Sequence, residues 1–206
     1  METALLGQPG SLDGSAQVVV VRLHHVDELF PVQDHHGTTA GCLLALEAEL
    51  KKRRPRRAID VGTGTGILAL ALAKQTKRKV VAGDIDYIAV EVAARNARVN
   101  HAPGALDLYV APGLRHAKAN RSRHFDLVFA NILAGPLKRL APSIARVLAP
   151  DGTVILSGLL AMDVAGVVST YRHQGLYLAS QSLREGWATL VMKKGGAAPR
   201  LRHPRY

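Results

Sequence analysis

The stretch HHGTTAGC, residues 35–42, gathers His35, His36, Thr38, Thr39 and the chain's only cysteine, Cys42. Those residue types fit three chemistries: a metal site, a nucleophile with its base, or the lip of a binding pocket. A zinc site needs four ligands at matched spacing, and no second Cys/His pair follows nearby, so no metal is expected. Cys42 shares an apolar stripe with Leu43 and Leu46, which predicts a core position.

A second group is D-V-G-T-G-T-G, Asp60 to Gly66, lying between the apolar runs AIDV and ILALALA. Glycines at 62, 64 and 66 allow a sharp turn and let a ligand approach with no Cβ in the way. At the head of a helix such turns hold negative groups through backbone amides and the dipole. A P-loop would end in Gly-Lys-Ser/Thr, and Ile67-Leu68 rules that out. A dinucleotide fingerprint starting at Gly62 would need Gly or Ala where Ile67 stands. What remains is D-x-G-x-G-x-G, which resembles the turn of class I S-adenosylmethionine (AdoMet) methyltransferases, whose cofactor has no pyrophosphate to be held. Asp84 lies 22 positions after Gly62, at the end of the next apolar run. A carboxylate there can take both ribose hydroxyls. Asp86 falls on the same side of an alternating strand and competes for that role, and aspartates at a strand end also cap helices.

These residues need elements to hold them. QVVVVRL (17–23) reads as a strand, and TTAGCLLALEAELKK as a helix that Thr38 or Thr39 is placed to cap. Beyond the basic run, strand and helix alternate. AIDVG, KVVAGDID, FDLVFAN and DGTVILSGL are strands, while ILALALAKQ, IAVEVAARNARVN, LKRLAPSIARVLA and DVAGVVSTYRHQG are helices. The pattern predicts a parallel α/β sheet with right-handed crossovers. LYLASQSLR and WATLVMKK have no helix between them and should close the chain as an antiparallel hairpin at one edge.

Composition bounds the class. The 206 residues fit one domain with a real core, and the 48% apolar share excludes disorder throughout. A single cysteine makes no internal disulfide, which points to a reducing, cytoplasmic setting. No signal peptide or membrane span is expected. The formal charge is +11 with a pI near 10.2, concentrated in KKRRPRR (51–57), around 115–124, and in the tail. Such clusters attract anionic partners, ribosome or RNA included, or are simply solvated loops. With 4% aromatics, a dedicated single-strand binder is disfavoured.

FANILAGPLKRLAP (129–142), with IDVGTGTGILALALA, VAGDIDYIAVEVAARNA, GTVILSGLL and EGWATLVM, resembles the PrmA family, the ribosomal protein L11 methyltransferases. HHGTTAGCLLALE looks like that family's H-P-T-T segment in an H-G-T-T variant, and the likeness runs through roughly residues 35–194. It implies an α/β, Rossmann-like class I methyltransferase: a seven-stranded, mostly parallel sheet with an antiparallel last strand and helices on both faces. It also implies AdoMet as cofactor. Thr39, Gly62, Asp84 and Asn131 match cofactor-contacting positions, with Asp60, Thr63, Gly64 and Gly66 completing the turn. Asn131, opening N-I-L-A, corresponds to the start of the N-P-P-Y-like loop that holds a substrate amine in other amine methyltransferases. Asn131 and His36 are therefore the catalytic candidates. The family's F-G-T-G before H-x-T-T is replaced here by Val32-Gln33-Asp34-His35, which alters part of the cofactor lid.

The expected organisation is a leader with one strand (1–37), the methyltransferase domain (38–194) and a basic tail (195–206). The leader is too short for the family's N-terminal recognition domain, and a monomer is expected. Three functions follow in order: methylation of ribosomal-protein amino groups (lysine or α-amine), methylation of rRNA or another substrate, or a truncated AdoMet-binding homologue with little activity.

Overall fold

The computed structural model describes residues 36–120 and 124–195, with His36 in backbone only. The elements run α1 (His36–Lys52), β1 (Ala58–Val61), α2 (Ile67–Thr76), β2 (Val80–Asp84), α3 (Tyr87–Val99) and β3 (Leu106–Val110). They continue with β4 (Phe125–Asn131), α4 (Ala134–Val147), β5 (Leu148–Leu160), a 3-10 turn (Ala161–Asp163), α5 (Val164–Arg172), β6 (Leu176–Arg184) and β7 (Trp187–Lys194). The strands form one sheet in the order β3-β2-β1-β4-β5-β7-β6. Only β7 runs antiparallel to its neighbours, inserted between β5 and β6. The closing hairpin therefore forms as its uninterrupted sequence requires.

Alternation along each strand sorts the core into two layers. Ile59, Val61, Val128 and Ala130 face α4 and α5, packing on Leu137, Ile144, Val167 and Tyr171. Ala58, Leu127, Phe129 and Ile155 face α1, α2 and α3, packing on Cys42, Leu46, Leu70 and Ala93. The same two-residue period turns Asp60 and Asn131 toward the α1–α2 layer. Burial on both faces explains why β1 and β4 read as continuous apolar runs.

Several sequence expectations need correction. The strand expected at 17–23, and the leader and tail segments, lie outside the described residues. Helix α1 already begins at His36, so Thr38 and Thr39 sit inside its first turn and neither caps it. LDLYV, given no element above, is the edge strand β3: pairing with β2 supplies the partner that its short sequence could not announce. β2 stops at Asp84, two residues earlier than expected, because Asp86 leaves the sheet and accepts the Ile88 amide at 2.9 Å as the cap of α3.

The entry into β1 is held by Asp126, whose carboxylate accepts the amides of Arg56 (2.7 Å) and Arg57 (3.0 Å) and an Arg53 guanidinium bond (3.1 Å). An Asp126→Ala substitution leaves two strand-entry amides without an acceptor. It should lower the unfolding free energy by about 1–3 kcal/mol in urea titration, with Asp126→Asn recovering part of the loss.

Candidate functional site at the carboxyl ends of β1, β2 and β4

The glycine turn is built against β2. Gly62 and Thr63 both donate to the Gly83 carbonyl (2.8 and 3.0 Å), and Gly64 donates to Asp84 Oδ2 (2.9 Å). Amides spent in this way are not presented to an anion, which agrees with the exclusion of a phosphate cradle. All three glycines adopt left-handed φ, 75°, 52° and 80°. A Cβ at Gly62 would stand 2.5 Å from Ile132 Cγ2, whereas Gly64 opens onto free space. The turn is thus closed beneath and open above.

Asp84, half-buried, accepts from Gly64 on Oδ2 and from the Asp86 amide on Oδ1 (3.1 Å). Each oxygen keeps a second lone pair, so a vicinal diol can still donate to both. Of the two aspartates weighed from sequence, Asp84 joins the turn and Asp86 is a helix cap.

Asp60 is buried. Its Oδ2 accepts the Thr63 hydroxyl at 2.8 Å, and Oδ1 has no hydrogen-bond partner. Burial pushes its pKa up to about 7, with the nearby Asp84 charge adding to the rise, while the Thr63 hydroxyl and the Ala69 amide oppose it. A buried acceptor without a donor, beside an open glycine turn, fits a cationic ligand group.

Asn131 ends β4 one strand away. Its Nδ2 lies 3.4 Å from Thr38 Oγ1, at the long limit for a hydrogen bond, and its Oδ1 is left as an acceptor. The following Ile132 is clamped between the glycine turn and β5: a Cβ at Gly158 would come within 2.6 Å of the Ile132 carbonyl oxygen. Leu133 is 67% exposed. The N-I-L-A loop is therefore fixed by its Ile and presents its Asn and Leu.

The structure brings Asp60, the turn, Asp84 and Asn131 together at one edge of the sheet. Thr38 is the buried threonine that meets Asn131, and Thr39 is half-buried one position further round the helix. Thr38 was missed, although a signal existed: the buried stripe Cys42, Leu46, Glu49 runs back at helical spacing to 38, not 39. His36 opens α1, and its side chain lies outside what is described. Cys42 is fully buried, and burial pushes its thiol well above the usual range. Among the described residues no group of three His, Cys, Asp or Glu could hold a metal. The tip of the β6–β7 hairpin, also unforeseen, seats on the start of α1. There, Trp187 Cδ1 lies 3.1 Å from the Cβ position of Gly37.

This fold, with a glycine turn after β1 and an acidic residue ending β2, is that of the class I methyltransferases. Solved structures share it at low identity, among them a methyltransferase from Pyrococcus furiosus (22% identity, TM-score 0.60, 74% of this chain and 82% of that one). A crystal structure of ribosomal protein L11 methylase from Lactobacillus delbrueckii subsp. bulgaricus matches better (30% identity, TM-score 0.72, 81% and 82%). The profile described as "Ribosomal protein L11 methyltransferase (PrmA)" matches residues 34–195, and the chain belongs to that family. Relatives of that name from Mesorhizobium japonicum and Bradyrhizobium diazoefficiens are 46% and 48% identical, over 77% and 79% of this chain. The matched region covers 55% of each relative, so the chain spans about half their length.

Because the folded-state pKa of Asp60 is raised, the folded protein binds more protons than the unfolded chain between about pH 4 and about pH 7. Its contribution to stability therefore falls as pH rises through that window. In urea titrations without ligand, Asp60→Asn should gain on the wild type from pH 5 to pH 8, by up to a few kcal/mol at about 1.4 kcal/mol per unit. A gap that stays constant with pH would show that Asp60 is ionised throughout.

Proposed function

We propose that this domain is an AdoMet-dependent N-methyltransferase that methylates amino groups, lysine or N-terminal α-amine, of a ribosomal protein. Family membership supports the class, and the placement of Asn131 Oδ1 beside the glycine turn carries the amine reading.

The donor sets fit the cofactor. Asp84 has lone pairs for the ribose diol, the turn at Gly64 has room for close approach, and Asp60 Oδ1 lacks the donor that an ammonium would supply. Thr39, in the first turn of α1, and Thr63, on Asp60, complete the proposed contacts. When bound, AdoMet supplies an electrophilic methyl on a positively charged sulfur, which leaves as a neutral thioether. No oxyanion has to be stabilised. Alignment of nitrogen, methyl and sulfur can supply on the order of 7–11 kcal/mol.

The chain's own residues must then orient a neutral amine. At pH 7 deprotonating a lysine costs roughly 4–5 kcal/mol and an α-amine only about 1 kcal/mol. Asn131 Oδ1 and the carbonyls of the clamped N-I-L-A loop can accept the remaining N–H bonds and aim the lone pair at the methyl. The proton lost when the substrate ammonium is neutralised passes to water before transfer, and the methylated nitrogen leaves the step as an ammonium. By resemblance to the family's H-x-T-T segment, His36 is the proposed base.

Calorimetry should detect S-adenosylhomocysteine binding, and Gly62→Arg, which drives a side chain into Ile132, should abolish it. Trp187, the only tryptophan, reports the same event through its fluorescence because it lies against the start of α1. Tritium from labelled AdoMet should enter ribosomal protein, and Asn131→Ala should cut kcat by about 100-fold while weakening cofactor binding, which Asn131 is also proposed to contact, by a smaller factor. Label in rRNA instead would move the reading to an RNA methyltransferase. Binding without any turnover would leave a cofactor-binding homologue.

A further inference from the structure

The basic segments 53–57 and 77–79 lie at the amino edge of the sheet, opposite the proposed cofactor site. Ile59 pairs with Val81, so β1 and β2 start side by side, about 4.8 Å apart. The segments that feed them, 53–57 and 77–79, therefore converge although some twenty residues separate them. The four residues of β1 then put the glycine turn roughly 13 Å away, at the far end.

Arg54, Arg56, Lys77, Arg78 and Lys79 are all exposed, and none has an ion-pair partner among the described residues. Asp126, the carboxylate that segment 53–57 reaches, is already occupied by Arg53 and by the amides of Arg56 and Arg57. Elsewhere some cations are paired, Lys51 and Lys52 with Glu47 and Glu49, Lys193 with Glu49 and Lys118 with Asp107, while exposed ones such as Arg95, Arg115, Lys138 and Arg172 are spread over other elements. Lys74, next to this edge, has its ammonium held below the usual lysine range by burial and by the charge of Lys77. Five exposed cations without an ion-pair partner among the described residues thus meet at this corner, held out by the left-handed turn at Lys77 and the short loop around Pro55.

We propose that this corner, Arg54, Arg56 and Lys77–Lys79, is a docking surface for the phosphate backbone of structured RNA. Guanidinium forks match phosphate geometry, and the paired loops present them along one edge. Neither segment carries an exposed large apolar side chain, so a lipid surface would find nothing to insert. They also hold no aromatic on which single-stranded bases could stack. Docking here holds RNA away from the methyl donor, so RNA acts as an anchor and not as the acceptor. The choice of RNA over DNA rests on the reading above that the substrate is a ribosomal protein.

The test is fluorescence anisotropy of the full chain with a labelled RNA hairpin of about 20 base pairs, between about 50 and about 200 mM salt. Arg54→Glu/Lys79→Glu should weaken binding by about tenfold or more and reduce the salt slope by about two. Lys138→Glu/Arg139→Glu, the same charge change on the exposed face of α4, should cost less than about threefold. Calorimetric affinity for S-adenosylhomocysteine should be unchanged in the first pair, which separates this proposal from the methyl-transfer reading. Equal losses in both pairs would reduce the effect to net charge and overturn the proposal. Binding to phosphatidylserine vesicles but not to the hairpin would overturn it, as would equally tight binding to a DNA duplex of the same sequence.

Discussion

Everything at the site depends on β1 being paired in parallel with β2 on one side and β4 on the other. This is where the strand order reverses, and crossovers to opposite faces leave a crevice beyond the strands' carboxyl ends. Because the register is parallel, the last residues of the three strands arrive at one level. Asp60 and Gly62, Asp84, and Asn131 are neighbours for that reason alone, though they span more than seventy positions in the chain. The bond from Gly64 to Asp84 then ties the turn to the end of β2.

That arrangement carries a polar cost, and the core is arranged around it. Asp60 is a buried carboxylate with one oxygen satisfied and one not, on the face where the surrounding layer is Cys42, Leu70 and Phe129. Leaving such a group without a donor destabilises the ligand-free state. A ligand that supplies the donor recovers that loss, which couples binding to the rigidity of the turn. The clamped Ile132 extends the same rigidity to the end of β4. Gly62 below and Gly158 behind leave it one position, so the adjoining Asn131 inherits a fixed orientation.

The sheet also divides electrostatic labour. Its carboxyl edge bears exposed apolar side chains, Ile85, Ile88, Leu133 and Met162, around a site with acidic residues. Its amino edge bears the exposed cations of segments 53–57 and 77–79. Parallel strands enforce the separation, because loops that enter strands and loops that leave them cannot share an edge.

Local sequence was sufficient wherever periodicity or turn chemistry was self-contained. D-V-G-T-G-T-G excluded phosphate cradles before any fold was known, and the missing helix between the last two strands foretold the hairpin. The N-I-L-A and H-G-T-T segments indicated the family. Sequence failed where the deciding contact comes from another element. β3 is too short to declare itself without β2, and which of Asp84 and Asp86 caps α3 was decided only by where β2 ends. The choice between Thr38 and Thr39 as the partner of Asn131 needed the rotation of α1 against β4. The two basic runs became one corner only through the β1–β2 register. Residue types and their spacing by themselves determined the class of chemistry, because turn conformation and side-chain valence are local properties. Which residues converge, and on which edge, was decided by tertiary structure alone, because strand register relates positions that share no local interaction.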